Sequence, residues 1–400
     1  MKNVILSDER SEESLQSQFA NTGLWDCSSS QVPFGCFAPQ NDMNCVIPVA
    51  TKKRKPVVSD IKNILNKYIP DVEQGVKEAL TVAPNFIGGV INYHFGWVDQ
   101  NFQPANFDRG KMLRPIVCLM VFEALTGNRG DALPAAVSIE LIHNFSLIHD
   151  DIEDGDLERR GRPTAWAIWG RPLAINVGDY LYTLAFKNLH NLNVSKFGPE
   201  KVLAVQRLIT NACLTLTEGQ DLDLRFEQMQ DVSTEMYLDM VYKKTGALLE
   251  AAIVSGATLG TSNKEIIGYY QKFAHNIGVA FQIRDDILGI WGDAAKTGKS
   301  IDNDLRRKKK TLPVLYTLSK SSGERKAKLV SLYANADPLS DSQIEFVRDN
   351  LTWANAHSYA QNAADTYIEN AFAALNQIGI TTQPQLDLET IAKYLAERSH

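Results

Sequence analysis

Four acidic residues occur within five positions, in Asp150-Asp-Ile-Glu-Asp154, at the end of an apolar run that predicts a helix. With about 3.6 residues per turn, Asp150 and Asp154 share one face of that helix. Carboxylates among isoleucines and leucines need a cation partner. Oxygen ligands without a nearby cysteine or histidine cluster suit Mg²⁺. Arg159 and Arg160 follow and supply planar donors that match phosphate oxygens.

A second acid pair, Asp285 and Asp286, follows another apolar helical run. Lys299 and the basic run at 306–310 come after it. One such segment alone is also compatible with a solvated acidic helix end. Two acid-rich helix ends, each followed by cations, indicate instead a cavity that holds a diphosphate between metal ions.

The composition is that of a globular protein, with 44% hydrophobic and 22% charged residues and a net charge of −6. No basic face dominates, which argues against a nucleic-acid partner. The cysteines number five and two of them lie in apolar helical runs, so we expect reduced thiols and a cytoplasmic protein. No run of 18 apolar residues predicts a transmembrane segment, and the N-terminus fits neither a signal peptide nor a transit peptide.

The chain divides at a change of pattern. Residues 1–56 are rich in Ser, Asn, Gln and Pro and end in a basic run, which predicts a poorly ordered extension. Residues 57–400 have helical periodicity and few strand signals, which predicts one all-α domain. The predicted helices cover 61–68, 72–80, 116–125, 133–151, 173–189, 199–225, 234–259, 264–291, 312–318, 340–351, 354–375 and 386–398.

A basic helix start is predicted at Gly110-Lys-Met-Leu-Arg-Pro115, after a loop at 96–109. Pro115 fits the first turn of a helix, where its missing amide costs nothing. Lys111 and Arg114 therefore stand at a helix N-terminus, where the backbone amides and the dipole favour anions. An ordinary solvated helix start is the alternative for this segment taken alone.

In this order and spacing, the motifs resemble those of the trans-isoprenyl diphosphate synthases, or polyprenyl synthetases, over 57–398, closest to geranylgeranyl diphosphate synthase-like members. The matching segments are DDxxD at 150–154, GKxxRP at 110–115, GQxxD at 219–223, the Lys244-Thr245 pair, GDxxxTGK at 292–299 and DLRxxKKTLP at 304–313. The resemblance implies an all-α isoprenoid synthase-type bundle around a central active-site cavity, usually a homodimer. It also implies head-to-tail transfer of an allylic group to isopentenyl diphosphate.

The resemblance assigns roles residue by residue. About three Mg²⁺ ions are expected, with ligands Asp150, Asp154 and Asp285 and supporting acids Asp151, Asp223 and Asp286. The expected partners of the allylic diphosphate (dimethylallyl, geranyl or farnesyl) are Arg159, Lys244, Lys299 and Lys309. Isopentenyl diphosphate is expected at Lys111, Arg114, His143 and Arg160. Thr245 and Gln282 are expected to steady the carbocation with their oxygen dipoles.

His143 lies seven residues before Asp150 and so on the same helix face, which favours a place in the pocket. A lone histidine on an apolar helix is more often structural, so its role depends on the resemblance.

The second acid motif departs from the family pattern. It reads Asp285-Asp-Ile-Leu-Gly289, so the third acid is missing. We interpret it as a variant of an active enzyme, because the first two acids and Lys299 are present. Weakened metal binding or a changed reaction is the alternative.

Product length is expected to depend on the residues just before the first motif, which in this family form the floor of the pocket. Phe145 stands five residues upstream of Asp150 and Ser146 four. A ring beside a small residue resembles the arrangement associated with geranylgeranyl diphosphate (C20), although Ser146 falls nearer than Phe145 to the Asp150 face. Farnesyl diphosphate (C15) and longer chains are the alternatives.

Two other functions share parts of this pattern. A class I terpene cyclase has the first acid motif but no use for an isopentenyl diphosphate site, which Lys111, Arg114 and His143 would form. A non-catalytic partner subunit would be expected to lose the first motif, which this chain keeps. The enzyme is therefore the favoured interpretation.

Overall fold

The structure, a computed structural model, describes residues 58–292, 302–334 and 337–396. The extension predicted at 1–56 and Lys299 lie outside these residues. The described chain is mostly helical, and its two strands, β1 (Glu158–Arg159) and β2 (Arg162–Pro163), form one short antiparallel hairpin. The all-α class is confirmed. None of the described helices is long and apolar enough to cross a membrane.

The first ten helices are α1 (Val58–Asn66), α2 (Ile69–Leu80), α3 (Asn85–His94), α4 (Leu113–Thr126), α5 (Leu133–Glu153), α6 (Ala165–Trp169), α7 (Arg171–Leu189), α8 (Val194–Phe197), α9 (Pro199–Gln228) and α10 (Thr234–Val241). A π turn (Tyr242–Gly246) follows, and then α11 (Ala247–Gly260), α12 (Lys264–Trp291), α13 (Asn303–Arg306), α14 (Leu312–Lys320), α15 (Gly323–Ala334), α16 (Asp341–Trp353), α17 (Ala356–Gln377) and α18 (Gln383–Ala396). A 3₁₀ turn (Gly130–Ala132) precedes α5.

Three helix pairs make the frame of the bundle: α5 packs along α7, α4 against α11, and α12 against α17. Helices α4 and α11 are buried on nearly all sides, as expected for helices that are apolar all round. Helix α5 lies between α4, α7 and α9, and α12 lies against α11 and the π turn. The ends of α5, α9 and α12 therefore converge on one region.

Most predicted helices are confirmed, and α12 has the predicted bounds because its apolar periodicity is unbroken. Helix α4 begins at Leu113, so Pro115 lies in its first turn as predicted. The helix predicted at 234–259 is interrupted by the π turn. The sequence did not predict the hairpin, whose two-residue strands are too short to show a period of two. It also did not predict the helices α3, α6, α8, α13 and α15.

Candidate active site

The first acid motif ends helix α5. Asp154 is the C-terminal cap, and its backbone amide donates to the carbonyl of Asp150 at 2.8 Å. The negative end of the helix dipole lies here, so carboxylates at this end are unfavourable until a cation binds. Burial raises the pKa of Asp150 to about 6, although the charge of Lys244 opposes the shift. The motif is therefore a site that a divalent cation would stabilise.

Asp151, the second acid of the motif, holds Arg159 of strand β1. Its side chain is buried, and Arg159 Nε and Nη2 both lie 2.7 Å from Oδ1. Burial raises the pKa of Asp151 to about 6, against the effect of this guanidinium. The contact leaves Asp151 in a supporting position and fixes Arg159 beside the acid motif.

The turn between the strands places Arg160. Arg160 and Gly161 have φ values of 53° and 69°, as a two-residue hairpin turn of the I′ kind requires. Glycine adopts this conformation freely, whereas an arginine there is strained. The Arg160 guanidinium lies against Gly110, where a Cβ would come within 2.6 Å of Nη2. The hairpin therefore brings Arg160 to the basic segment before α4.

The π turn carries Lys244 into the site. Its Nζ lies 2.6 Å from Asp223 Oδ2 of helix α9. Burial lowers the pKa of Lys244, but Asp223 and Asp150 outweigh it and the pKa is raised, so the amine stays charged. A Cβ at Gly219 would come within 2.2 Å of the Lys244 backbone nitrogen, so glycine permits this close approach. Isolated π turns in helices often occur at functional sites.

Thr245, also in the π turn, contacts Gln282 of α12. Thr245 Oγ1 donates to Gln282 Oε1 at 3.3 Å. The two residues predicted to steady a carbocation are thus neighbours. The donated hydroxyl proton leaves the threonine oxygen lone pairs available to face a positive charge.

Asp286 is deeply buried rather than exposed at the cavity. It accepts hydrogen bonds from the Tyr237 hydroxyl and, at 3.2 Å, from the Leu312 amide. Burial raises its pKa to about 6, and the charge of Lys309 opposes the shift. Burial lowers the pKa of Lys309 itself, but Asp286 and Asp304 outweigh it and the amine stays charged. Asp286 therefore supports the site from below, while the half-buried Asp285 is the outer member of the pair.

A cavity of about 660 Å³ opens where these elements meet. Its polar lining includes Asp154, Asp223, Lys244, Asp304 and Lys309. Residues separated by up to 155 positions in the chain thus surround one volume, and both carboxylates and amines face it. This is the charge arrangement that a metal-bound diphosphate requires.

The donor set suits Mg²⁺. Within the described ranges, no three acidic, histidine or cysteine side chains are close enough to hold an ion by themselves. Mg²⁺ commonly binds through one or two carboxylates together with substrate phosphates. Asp150 and Asp154 at the end of α5, and Asp285 on α12, are the oxygen donors that fit such a shared site.

A second basic cluster lies at the start of α4, with Lys111 Nζ 3.1 Å from the Tyr394 hydroxyl and Arg114 Nη1 3.3 Å from His143 Nε2. Burial, together with the charges of Arg114 and Arg160, holds the pKa of His143 well below its usual range. The imidazole is therefore neutral. Because a guanidinium only donates, His143 Nε2 accepts here and Nδ1 carries the proton.

Sequence reasoning missed three buried polar residues beside this cluster. Asn144 Nδ2 donates to Glu140 Oε1 at 2.8 Å, and burial raises the pKa of Glu140 to about 7. Among the described residues, the buried atoms without a partner include Glu140 Oε2, Arg114 Nε and His94 Nε2. The position of Glu140 inside an otherwise apolar helix could have indicated that it is buried. No feature of the sequence indicated this for His94.

Phe145, the larger of the two residues predicted to form the floor, lies on the side of α5 that faces α7. The Phe145 ring centroid is 5.0 Å from that of Tyr182 and 5.2 Å from that of His149. Tyr182 in turn lies 5.0 Å from Phe186. Ser146 Oγ donates to the carbonyl of His143 at 2.8 Å. Phe145 is thus one end of an aromatic row that α7 continues.

Comparison with known proteins agrees with this geometry. The sequence model of the family described as "Polyprenyl synthetase" matches residues 96–351. The chain is 36% identical over 311 residues to a (2E,6E)-farnesyl diphosphate synthase of Mycobacterium tuberculosis, covering 77% of this chain and 85% of that protein. It is 38% identical over 316 residues to a geranylgeranyl diphosphate synthase of the same organism, covering 78% and 88%.

A solved structure has the same fold. The polyprenyl synthetase from Streptomyces coelicolor A3(2) superposes with a TM-score of 0.77 at 32% identity, over 84% of this chain and 99% of that one. The extent of these matches and the placement of the acid motifs lead to one conclusion: the chain belongs to the polyprenyl synthetase family, the trans-isoprenyl diphosphate synthases.

Proposed function

We propose that this prenyltransferase condenses isopentenyl diphosphate with an allylic diphosphate, head to tail, to give geranylgeranyl diphosphate (C20). The observation that carries the proposal is the presence of two separate clusters of charged side chains, each suited to a diphosphate. One combines carboxylates with Lys244 and Lys309, and the other contains Lys111, Arg114 and His143. A condensation of two diphosphates needs both.

The acid-lined site would hold the allylic diphosphate. Asp150, Asp154 and Asp285 would hold a cluster of about three Mg²⁺ ions, which would supply charge neutralisation for the departing diphosphate. Lys244 and Lys309 are charged and face the same cavity, so they stabilise the same developing charge. Thr245 and Gln282, which are hydrogen-bonded to each other, would offer their oxygen dipoles to the allylic carbon.

The basic cluster would hold isopentenyl diphosphate without a metal. Arg114 and Arg160 supply guanidinium donors, and neutral His143 donates through Nδ1. The double bond of isopentenyl diphosphate attacks the allylic carbon as the bond between that carbon and its diphosphate breaks. The departing diphosphate then takes the proton that the isopentenyl unit loses when the new double bond forms. A cyclase ionises one substrate and needs no such cluster, so this site favours condensation.

The C20 product is proposed from the aromatic row of Phe145, Tyr182 and Phe186. Three contacting rings below the acid motif form a wall that limits chain growth, and Ser146 leaves room above it. The relatives named above include both farnesyl and geranylgeranyl synthases at similar identity. Farnesyl diphosphate is therefore the second candidate product.

The deciding experiment incubates the purified full-length protein with Mg²⁺, isopentenyl diphosphate and dimethylallyl, geranyl or farnesyl diphosphate in turn. Chromatography and mass spectrometry of the products should give a linear C20 diphosphate. A linear C15 or longer product keeps the reaction and contradicts the proposed floor. Hydrocarbon formed without isopentenyl diphosphate supports a cyclase, and no turnover with any substrate supports a partner subunit.

We also propose a homodimer, the assembly that the family resemblance implies. Helix α9 exposes Leu203 and Leu214, which lie eleven residues apart and so on one face. A second copy would cover this apolar face. Light scattering coupled to size-exclusion chromatography should give twice the chain mass, and a monomer at micromolar concentration contradicts the proposal.

A further inference from the structure

The glycine that replaces the third acid of the second motif lies against another aspartate. A Cβ built at Gly289 would come within 2.1 Å of Asp304 Oδ2 and 3.1 Å of its Cγ. Real Cβ atoms do not approach other atoms this closely, so the carboxylate of Asp304 fills the space that a side chain at position 289 would enter. Asp304 belongs to a different helix, α13, fifteen residues further along the chain.

Position 289 matters because of its place on α12. Asp285 and Gly289 are four residues apart and so lie on one face, one turn from each other. An aspartate at 289 would place its carboxylate beyond this face of α12, and the carboxylate of Asp304 already lies where the Cβ of that aspartate would be. We infer that Asp304 supplies the third carboxylate of the second metal-binding motif, in place of the acid that Gly289 lacks. This inference rests on the proposed function.

The protein holds Asp304 in this position from several directions. The next residue, Leu305, is fully buried in the core. Arg306 donates to the Leu339 carbonyl at 2.9 Å and to Asp341 at 2.7 Å. Lys310 Nζ donates to the Phe226 carbonyl at 2.5 Å, at the end of α9. These contacts hold the Asp304 carboxylate in place, so it can take the position of a carboxylate that α12 would otherwise supply.

The surroundings of Asp304 are those of a metal-site carboxylate. It lines the same cavity as Asp154, Asp223 and Lys244. Its charge also acts on Lys309, whose pKa it raises together with Asp286. The alternative is a purely structural role, in which Asp304 does no more than neutralise Lys309. In that case, moving the carboxylate from position 304 to position 289 would not restore Mg²⁺ binding.

The test moves the carboxylate from one helix to the other. The Asp304 Cβ lies 3.7 Å from a Cβ built at 289, an ordinary contact, so Asp304→Ala makes room for a side chain there. The variants are Asp304→Asn, Asp304→Ala, Gly289→Ala, the exchange Gly289→Asp/Asp304→Ala, and Gly289→Ala/Asp304→Ala. Asp349→Asn, at an exposed position on α16, is the matched control.

The measured quantity is the Mg²⁺ concentration that gives half-maximal binding of inorganic pyrophosphate, from isothermal titration calorimetry of the full-length protein. Asp304→Asn and Asp304→Ala should raise it about ten- to a hundredfold. Gly289→Ala should do the same, because its methyl group displaces the carboxylate. The exchange variant should return to within about threefold of the starting value, while Gly289→Ala/Asp304→Ala should not.

An exchange variant no better than Gly289→Ala/Asp304→Ala would overturn the inference, as would an unchanged Mg²⁺ requirement in Asp304→Asn. Thermal melts followed by circular dichroism show that each variant is folded, and Asp304→Ser replaces any that is not. If the unaltered protein binds pyrophosphate with Mg²⁺ and transfers prenyl groups while these variants match it, only this inference fails. If the unaltered protein does neither, the proposed function fails with it.

Discussion

Lys244 and Asp223 form an ion pair of 2.6 Å that joins the π turn to helix α9 across the candidate active site. The amine stays charged because Asp223 and Asp150 together outweigh the effect of its burial. The π turn directs Lys244 inward, whereas its neighbour Lys243 pairs with Asp239 at 3.0 Å at the surface. Two adjacent lysines therefore have different environments.

Lys244→Ala should lower kcat for prenyl transfer by about 100-fold, because it removes a positive charge that faces the departing diphosphate. Steady-state kinetics with saturating Mg²⁺ measure this effect. Lys243→Ala is the matched control and should remain within about twofold of the unaltered protein, since exposed ion pairs contribute little. Equal losses in both variants would contradict the assignment of Lys244 to the site.

Asp150→Ala should abolish turnover, with a loss of about a thousandfold or more, because it removes a carboxylate ligand from the end of α5. The same variant should lose Mg²⁺-dependent binding of pyrophosphate. Glu158→Gln, at an exposed position on the hairpin, changes one charge nearby and should leave both measurements unaltered. Near-normal turnover by Asp150→Ala would contradict the assignment of Asp150 as a metal ligand.

Mg²⁺ affinity should depend on pH through Asp150, whose pKa burial raises to about 6. Below that value the carboxyl group is protonated and neutral, and a proton must leave before the metal binds. The Mg²⁺ requirement for pyrophosphate binding should therefore be about tenfold or more higher at about pH 5 than at about pH 7.5. A requirement that does not change over this range contradicts the prediction.

The raised pKa values also predict how the stability of the metal-free protein changes with pH. A carboxyl group whose pKa is raised by folding binds its proton more tightly in the folded protein, so Asp150 and Asp151 reduce stability as pH rises from about 4 to about 6. Mg²⁺ with pyrophosphate should remove this penalty. The increase in Tm on adding both should be larger at about pH 7.5 than at about pH 5.

Phe145→Ala should lengthen the product by one or more isoprene units, because it removes the ring that packs on Tyr182 at 5.0 Å between centroids. Mass spectrometry of the products from farnesyl and isopentenyl diphosphates measures the change. The truncation should cost about 1–3 kcal/mol of stability. Phe86→Ala, where the ring is exposed, should not alter the product. An unchanged product in Phe145→Ala places the floor elsewhere.

Much of this architecture was predictable from local pattern. Helices α5 and α12 follow from unbroken apolar periodicity, and the period of the helix places Asp150 one turn before Asp154. Pro115 predicts the start of α4 because its ring suits a first turn. These features depend on neighbours within a few residues, so the amino-acid order is sufficient to determine them.

Features that depend on residues distant in the chain were settled by packing. The π turn at Tyr242–Gly246 fits against α9, at Gly219, and this contact has no local signal in a helix-forming sequence. The sequence does not explain why position 289 has a glycine instead of an acid. In the structure, Asp304 occupies the space that a side chain at 289 would need. Raised carboxyl pKa values likewise come from burial that only the folded chain creates. The sequence and its motif spacing thus determined which chemical groups are available and on which helices they lie. Long-range contacts decided which of these groups meet, and desolvation decided their charge states.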